Sequence, residues 1–354
     1  MINRECGVFK TTYQADMALY GVPLARYTVI ALLLFFAIAF PFLVGVRYLI
    51  WTNLVFIAIV SALGLHILLG LAGQISIGQA AFMATGAYTA AILSDRYGQH
   101  FLVGILAGGI LAAVYGLIVG LPSLRVKGFY LAIATLAAQF ITEWTINHVT
   151  WISGGFQASI PVPYPQLGPL VLNSEQEKYF FLLVFALIAI VAALNIGRSR
   201  MGRALVAIRD REVAAEIIGV NVFRYKLLAF VISSFYAGVA GALWGYYLGN
   251  VSIETFTIRE SILYLTMIIV GGLGSVLGTI FGAVFITVLP FLLDDLLEAM
   301  HGILPVSDVT TFASQLRLMV FGGLIVLFLM VEPEGLASLW RRIKDYFRLW
   351  PFAY

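Results

Sequence analysis

From Tyr48 to Ser94 the sequence contains no Asp, Glu, Lys or Arg. The same is true from Tyr97 to Leu124, Tyr179 to Gly197, Leu227 to Ile253 and Ser261 to Leu293. A water-facing surface cannot be built from such runs, whereas a helix that crosses a bilayer needs about 20 mainly apolar residues. Charged types make up 11% of the 354 residues and hydrophobic types 61%, against roughly 25% and 45–50% in soluble domains. Soluble enzymes and nucleic-acid binders are therefore excluded. A net charge of +3 makes no general case for an acidic partner. The single cysteine, Cys6, leaves no disulfide framework and no cysteine metal cluster. Barrel strands would alternate in polarity over about 10 residues, and these runs do not. The expected class is an all-α polytopic membrane protein.

Spans are expected at Tyr27–Val46, twice within Tyr48–Ser94, at Tyr97–Leu124, Gly128–His148, Tyr179–Gly197 and Leu227–Gly249, twice within Ile262–Leu293, and at Leu316–Val331. The basic residues orient them. Seven of the 21 Lys and Arg lie between Arg198 and Lys226, and Arg341, Arg342, Lys344 and Arg348 cluster near the C-terminus. The positive-inside rule places both groups in the cytoplasm. An even number of crossings must separate them, so the run Ile262–Leu293 should break, and GGLG at Gly271–Gly274 is the natural place. The map has about ten membrane helices or half-helices and both termini cytoplasmic. It divides into a cytoplasmic segment 1–26, a transmembrane domain 27–331 and a basic tail 332–354. Within the domain, 150–178 is external and 197–226 cytoplasmic. The first apolar run is too long for a removable signal peptide and reads as an anchor. Arg47 is the one basic residue on the wrong side. Asp294, Asp295 and Glu298 are expected to be solvated in an outer loop, and His66 to have a hydrogen-bonded packing role.

Many of the 34 glycines stand four apart: Gly104 and Gly108, Gly116 and Gly120, Gly241 and Gly245, and Gly274, Gly278 and Gly282. Small residues at this spacing let helix backbones approach closely in lipid. Two segments suggest more than packing. Gly70–Ala91 mixes Gly70, Gly73, Gly78 and Gly86 with polar Gln74, Ser76, Gln79 and Thr85, and Gly271–Phe285 opens with Gly271, Gly272 and Gly274. Non-helical backbone at membrane depth survives only when buried in protein or lining a wet cavity, and broken elements in corresponding halves mark transport paths. Those four polar residues and three glycines are the candidate translocation residues.

The cytoplasmic loop reads GRSRMGRALVAIRDREVAAEIIGVNVFRYK, Gly197 to Lys226. Apolar Leu205, Val206, Ile208, Val213, Ala214, Ile217 and Ile218 recur at helical spacing, with Arg209, Asp210, Glu212 and Glu216 between them, so one amphipathic helix is expected at about 202–218, stopped by Gly219. It could lie on anionic lipid, be a solvated loop, or dock into a groove on a soluble partner. Acids mixed with arginines favour the protein interface.

This loop resembles the EAA-type coupling segment of permease subunits of bacterial ABC importers, and GRALVAIRDREVAAEIIGVN is similar to the branched-chain amino acid permeases of LivM type. GQISIGQAAFMATGAY near the front and VGGLGSVLGTIFGA, Val270 to Ala283, resemble the same family in the same order. The resemblance runs from about Val46 to Val331. It implies a type II-like ABC importer permease in the bacterial inner membrane. The implied partners are a related second permease of LivH type, two cytoplasmic ATPases that bind ATP and Mg, and an external substrate-binding protein. It also implies that Arg203, Arg209, Asp210, Glu212, Ala215, Glu216 and Gly219 couple the chain to the ATPase.

No Gly-Lys dipeptide occurs, so the chain can form no Walker A loop. The four histidines are isolated, and no HExxH, GxSxG or CxxC pattern appears. No catalytic residue, metal or cofactor is expected in this chain. A urea or short-chain amide permease of the same family is the nearest alternative, and ribose-type sugar permeases are more distant. An ion-coupled secondary transporter would place acids or histidines mid-membrane, where this chain has almost none.

Overall fold

The computed structural model describes residues 27, 28, 31, 35–124, 129–155, 159–167, 170–300 and parts of 319–342. Residues 1–26, the basic loop residues Arg125 and Lys127, most of the span expected at 316–331 and the tail from 343 lie outside the described residues.

The charge-free runs fold as helices, the element that bonds every backbone amide within its own segment. In chain order they are α1 Val46–Leu65, continued by a π-turn at His66–Leu71, then α2 Gln79–Asp95, α3 Phe101–Ser123 and α4 Phe129–His148. The chain continues as α5 Glu175–Arg198, then the charged-loop helices α6 Arg200–Asp210 and α7 Glu212–Ile217, then α8 Val222–Leu248, α9 Ile258–Gly271 and α10 Val276–Met300. Among the described residues, five stretches are long and apolar enough to cross a membrane: Val46–Leu71, Phe101–Ser123, Glu175–Arg198, Val222–Leu248 and Val276–Asp295. Helix α9 has 14 residues, about 21 Å at 1.5 Å per residue, which falls short of the roughly 30 Å hydrocarbon core.

Helix α1 is the centre of the bundle. Its most apolar window is 89% buried, whereas that of α5 is 28% buried. Around it, α8 packs on α1, α2 and α3, α5 lies along α1, and α9 and α10 form a hairpin against α1. Glycines set these distances. A Cβ on Gly86 would stand 2.1 Å from the Gly238 carbonyl oxygen, one on Gly108 2.7 Å from that of Gly86, and one on Gly241 1.9 Å from that of Met83. Helices α2, α3 and α8 thus meet backbone to backbone. The α9–α10 hairpin repeats the device, with a Gly282 Cβ 1.8 Å from the Met267 oxygen and a Gly271 Cβ 2.1 Å from the Gly278 oxygen. The expected break falls at Gly272–Ser275, where Gly272 and Gly274 adopt φ +109° and +86°.

The end of the bundle expected to face outward carries three features that charge patterning did not supply. The loop expected to reach Lys178 ends at Ser174, because a Ser174–Glu177 capping box starts α5 at Glu175. It also holds short strands that charge patterning cannot reveal: β1 Ile160–Pro161, antiparallel to β4 Asn250–Val251, and β2 Gln166–Leu167, paired with β3 Leu170–Val171. Asp295 is not a freely solvated loop acid. Helix α10 continues to Met300, and Asp295 pairs with Arg47, which also lies over the Trp51 ring. The basic residue that the orientation rule places on the wrong side thus has an acidic partner. Nearby, the Glu175 carboxylate accepts from Lys178 Nζ, Asn53 Nδ2 and the Tyr247 hydroxyl at 3.0–3.1 Å, which fastens α1, α5 and α8 together.

The backbone contacts predict a sharp contrast. Gly241→Leu should cost about 1–3 kcal/mol or more as overpacking and lower the melting temperature in detergent. Gly197→Ala, which meets nothing within 4 Å, should stay within about 0.5 kcal/mol. Thermal unfolding followed by tryptophan fluorescence distinguishes them, and equal melting of the two variants would overturn the α2–α8 contact.

Candidate functional site: two backbone breaks and a loop arginine

The first break follows the π-turn. Gly73 N–H donates to the Leu69 carbonyl and Gln74 N–H to that of Leu68, each at 3.1 Å, and Gly73 takes φ +68°. The chain then stays irregular until Gln79 begins α2. Its freed amides are not abandoned. Ile77 N–H donates to Thr135 Oγ1 on α4 at 3.0 Å, and Ala80 N–H donates to Ser261 Oγ on α9 at 2.9 Å. Gly78 lies so close to α4 that a Cβ would stand 2.6 Å from the Thr135 carbonyl oxygen. Gln139, one turn along α4, donates to the Phe256 carbonyl at 2.7 Å and accepts from Ser261. Thr135, Gln139 and Ser261 are buried and were missed as site residues. Polar side chains within otherwise apolar spans were the available signal.

The second break, Gly272–Ser275, lies against the first. A Cβ on Gly70 would stand 3.2 Å from Gly274 N and 2.7 Å from His66 Nδ1. His66 is buried, and its Nδ1 lies 3.0 Å from the Thr279 hydroxyl of α10, which fits the expected packing role.

The loop arginine closes the arrangement. Arg209 Nη1 donates to the Gly70 carbonyl at 2.7 Å. Its Cγ would stand 2.9 Å from a Cβ on Gly73, and its Nη1 3.1 Å from one on Gly274. One arginine side chain thus lies against both breaks, its stem at Gly73 and its guanidinium at Gly70 and Gly274. Its Nε and Nη2 bond Asp210 Oδ1 at 3.1 and 3.0 Å, a pair exposed enough to be weakened by solvent.

The single helix expected at 202–218 is two helices. Arg211, at φ −153° and ψ 91°, separates α6 from α7. The reason is tertiary. Arg209 ties α6 to Gly70, while Lys226 Nζ bonds Glu212 Oε2 at 2.8 Å and ties α7 to the base of α8. No continuous helix needs to satisfy both tethers. The expected apolar face divides with it: Leu205 and Ile208 are buried, whereas Ala214 is exposed and Val213, Ile217 and Ile218 are 70–80% exposed; in α7 it is Ala215, outside that face, that is buried. Arg203 donates to the Arg198 carbonyl at 2.9 Å, Glu216 is exposed, and Gly219 turns the chain at φ +90°.

The candidate translocation residues have different surroundings. Gln74, Ser76 and Gln79 are buried. Gln79 Nε2 is taken up by Ser61 of α1, at 3.0 Å from its carbonyl and 3.2 Å from its hydroxyl. The Thr85 hydroxyl turns back to the Ala81 carbonyl. Gln74 keeps a buried Oε1 without a hydrogen-bond partner among the described residues. Gly271 packs on Gly278, and Gly272 faces Gly335. No group of three or more His, Cys, Asp or Glu poised for a metal occurs among the described residues.

Comparison with known proteins adds to this geometry. A family model described as "Branched-chain amino acid transport system / permease component" matches residues 47–329. The chain is 31% identical over 347 residues to the high-affinity branched-chain amino acid transport system permease protein LivM of Escherichia coli K12, covering 92% of this chain and 78% of that one. It is 32% identical to LivM of Salmonella typhimurium, covering 87% and 74%, and 24% identical to LivH of the same organism, covering 78% and 89%. No solved structure matches. The three quoted motifs all lie inside the matched region, so the chain, a multi-pass membrane protein, belongs to the branched-chain amino acid transport permease family.

Proposed function

We propose that this chain is a membrane subunit of an ATP-driven importer for branched-chain amino acids, working beside a second permease of LivH type in the bacterial inner membrane. Two cytoplasmic ATPases hold the ATP and Mg, and an external binding protein delivers the substrate. About ten membrane elements leave both termini in the cytoplasm, as the positive-inside rule requires. The chain itself binds no nucleotide and has no catalytic residue.

The observation that carries this reading is Arg209. The ATPase docks on α6 and α7, with exposed Val213, Ile217 and Ile218 entering its groove. Arg203, Asp210, Glu212 and Glu216 supply the mixed charge around them, and Ala215 and Gly219 shape the turn. When ATP closes the ATPases, the loop shifts and carries Arg209 with it. Because Arg209 is bonded to Gly70 and lies against Gly73 and Gly274, both breaks receive the same displacement. The segments with Gln74, Ser76, Gln79 and Thr85 and with Gly271, Gly272 and Gly274 form the inner end of the path.

Two variants of the complete transporter in proteoliposomes test this. Arg209→Gln removes a charged hydrogen bond worth about 1.5–3 kcal/mol. It should lower amino acid uptake roughly tenfold or more while ATP hydrolysis persists. Ile217→Asp should instead reduce co-purification of the ATPase with the permease. Wild-type uptake by both variants would overturn the coupling role.

A further inference from the structure

Between α1, α8, α9 and α10 lies a cavity of about 270 Å³. Its lining runs from the first turn of α9, at Arg259 and Glu260, to the middle of α1 and α10, at Ala58, Ile286 and Thr287. Leu54, Ala58, Leu263, Met267, Ile286 and Phe291 supply apolar walls. Five other lining residues carry polar or charged groups: Arg259 and Glu260 in the first turn of α9, the Trp244 indole, the Tyr264 phenol and the Thr287 hydroxyl.

Two of these need a partner. Trp244 Nε1 and Thr287 Oγ1 are buried, and neither has a hydrogen-bond partner among the described residues. A buried polar group without a partner loses its hydration and gains nothing in return, so each of the two calls for an explanation. A lipid chain would fill the apolar part and leave both orphans unpaired. A compact ligand with its own acceptors and charges would satisfy them. Arg259 offers a guanidinium fork suited to a carboxylate, and Glu260 beside it offers a carboxylate for an ammonium group. The apolar walls then accommodate an aliphatic side chain. Ligand pockets commonly run to about 300–1,000 Å³, so this cavity suits a small molecule and excludes a peptide.

We propose that the cavity is a binding station for the transported zwitterionic amino acid. Arg259 takes its carboxylate and Glu260 its ammonium group, with Trp244 and Thr287 completing the polar end. The aliphatic side chain lies against Leu263, Met267 and Phe291. Tyr264 at the cavity stands beside Ser61, which accepts from Gln79 at the start of α2. The station therefore connects through one hydrogen-bonded step to the element that follows the first break. The assignment rests on the branched-chain amino acid reading above.

The test uses the complete transporter in proteoliposomes, with leucine and valine supplied to the same external binding protein. Arg259→Gln and Glu260→Gln should each lower leucine uptake roughly tenfold or more, the scale of a lost charged hydrogen bond. Leu263→Trp fills part of the cavity and should shift the leucine-to-valine uptake ratio toward valine by about fivefold or more, within what one methylene decides in a pocket. A packing role alone would not move that ratio. Wild-type uptake and ratio in all three variants would overturn the proposal and leave the cavity as a lipid or neighbour contact. Uniform loss of both substrates with an unmoved ratio would also overturn it. A wild-type transporter that ignores leucine and imports urea would instead overturn the branched-chain reading itself.

Discussion

In hydrocarbon, an amide that leaves a helix has no water to turn to. That constraint governs the region where this protein's two chain breaks meet. At the first break, Ile77 and Ala80 donate to hydroxyls of Thr135 and Ser261, which arrive from α4 and α9. The carbonyl of Gly70 accepts from Arg209, which arrives from the charged loop. Three distant parts of the chain must be in place before the break can exist at all, since each unpaired group would cost several kcal/mol. The break therefore acts as an assembly point for α4, α9 and the loop.

Close packing supplies the complementary constraint. Lipid gives helices no hydrophobic reason to associate, so association depends on how closely their surfaces approach. Gly86, Gly108, Gly238 and Gly241 remove the side chains between α2, α3 and α8, and Gly271, Gly278 and Gly282 do the same between α9 and α10. The outer ends are fastened differently. Glu175 gathers Lys178, Asn53 and Tyr247, and Arg47 meets Asp295. Charge pairing is used where water is near, and backbone contact where it is not.

Much of this could be read from residues alone. Absence of charge located the spans, helical spacing marked Gly104, Gly108 and Gly241 as contacts, and GGLG marked a break. What escaped prediction depends on long-range geometry. Local propensity from Gly202 to Ile218 favours one helix, yet tethers from Arg209 to Gly70 and Lys226 to Glu212 divide it. Arg47 seemed misplaced because its partner, Asp295, lies at the far end of the sequence. The partner of the Gln79 amide, Ser61, lies on another helix and could not be read from local sequence. The cavity was invisible for the same reason: Trp244, Arg259, Glu260 and Thr287 lie on three helices and form no motif.

These contacts also determine where the molecule can bend. Helices α2, α3 and α8 cannot slide past one another, because carbonyl oxygens already occupy the space where Cβ atoms would stand, and α9 and α10 are locked likewise. Bistable packed units move as bodies about a few residues that absorb the dihedral change. The residues with that freedom are Gly73, Gly272 and Gly274, each at positive φ and each at a break. Thr135 and Ser261 hold the first of these joints from the membrane side through single hydrogen bonds, which can be exchanged at small net cost. Arg209 holds Gly70 and abuts Gly73 and Gly274 from the charged loop, while Lys226 holds the same loop to α8 through Glu212. The loop is thus fastened both to the joints and to the locked helix group beside them, which is the arrangement a hinge between the two requires.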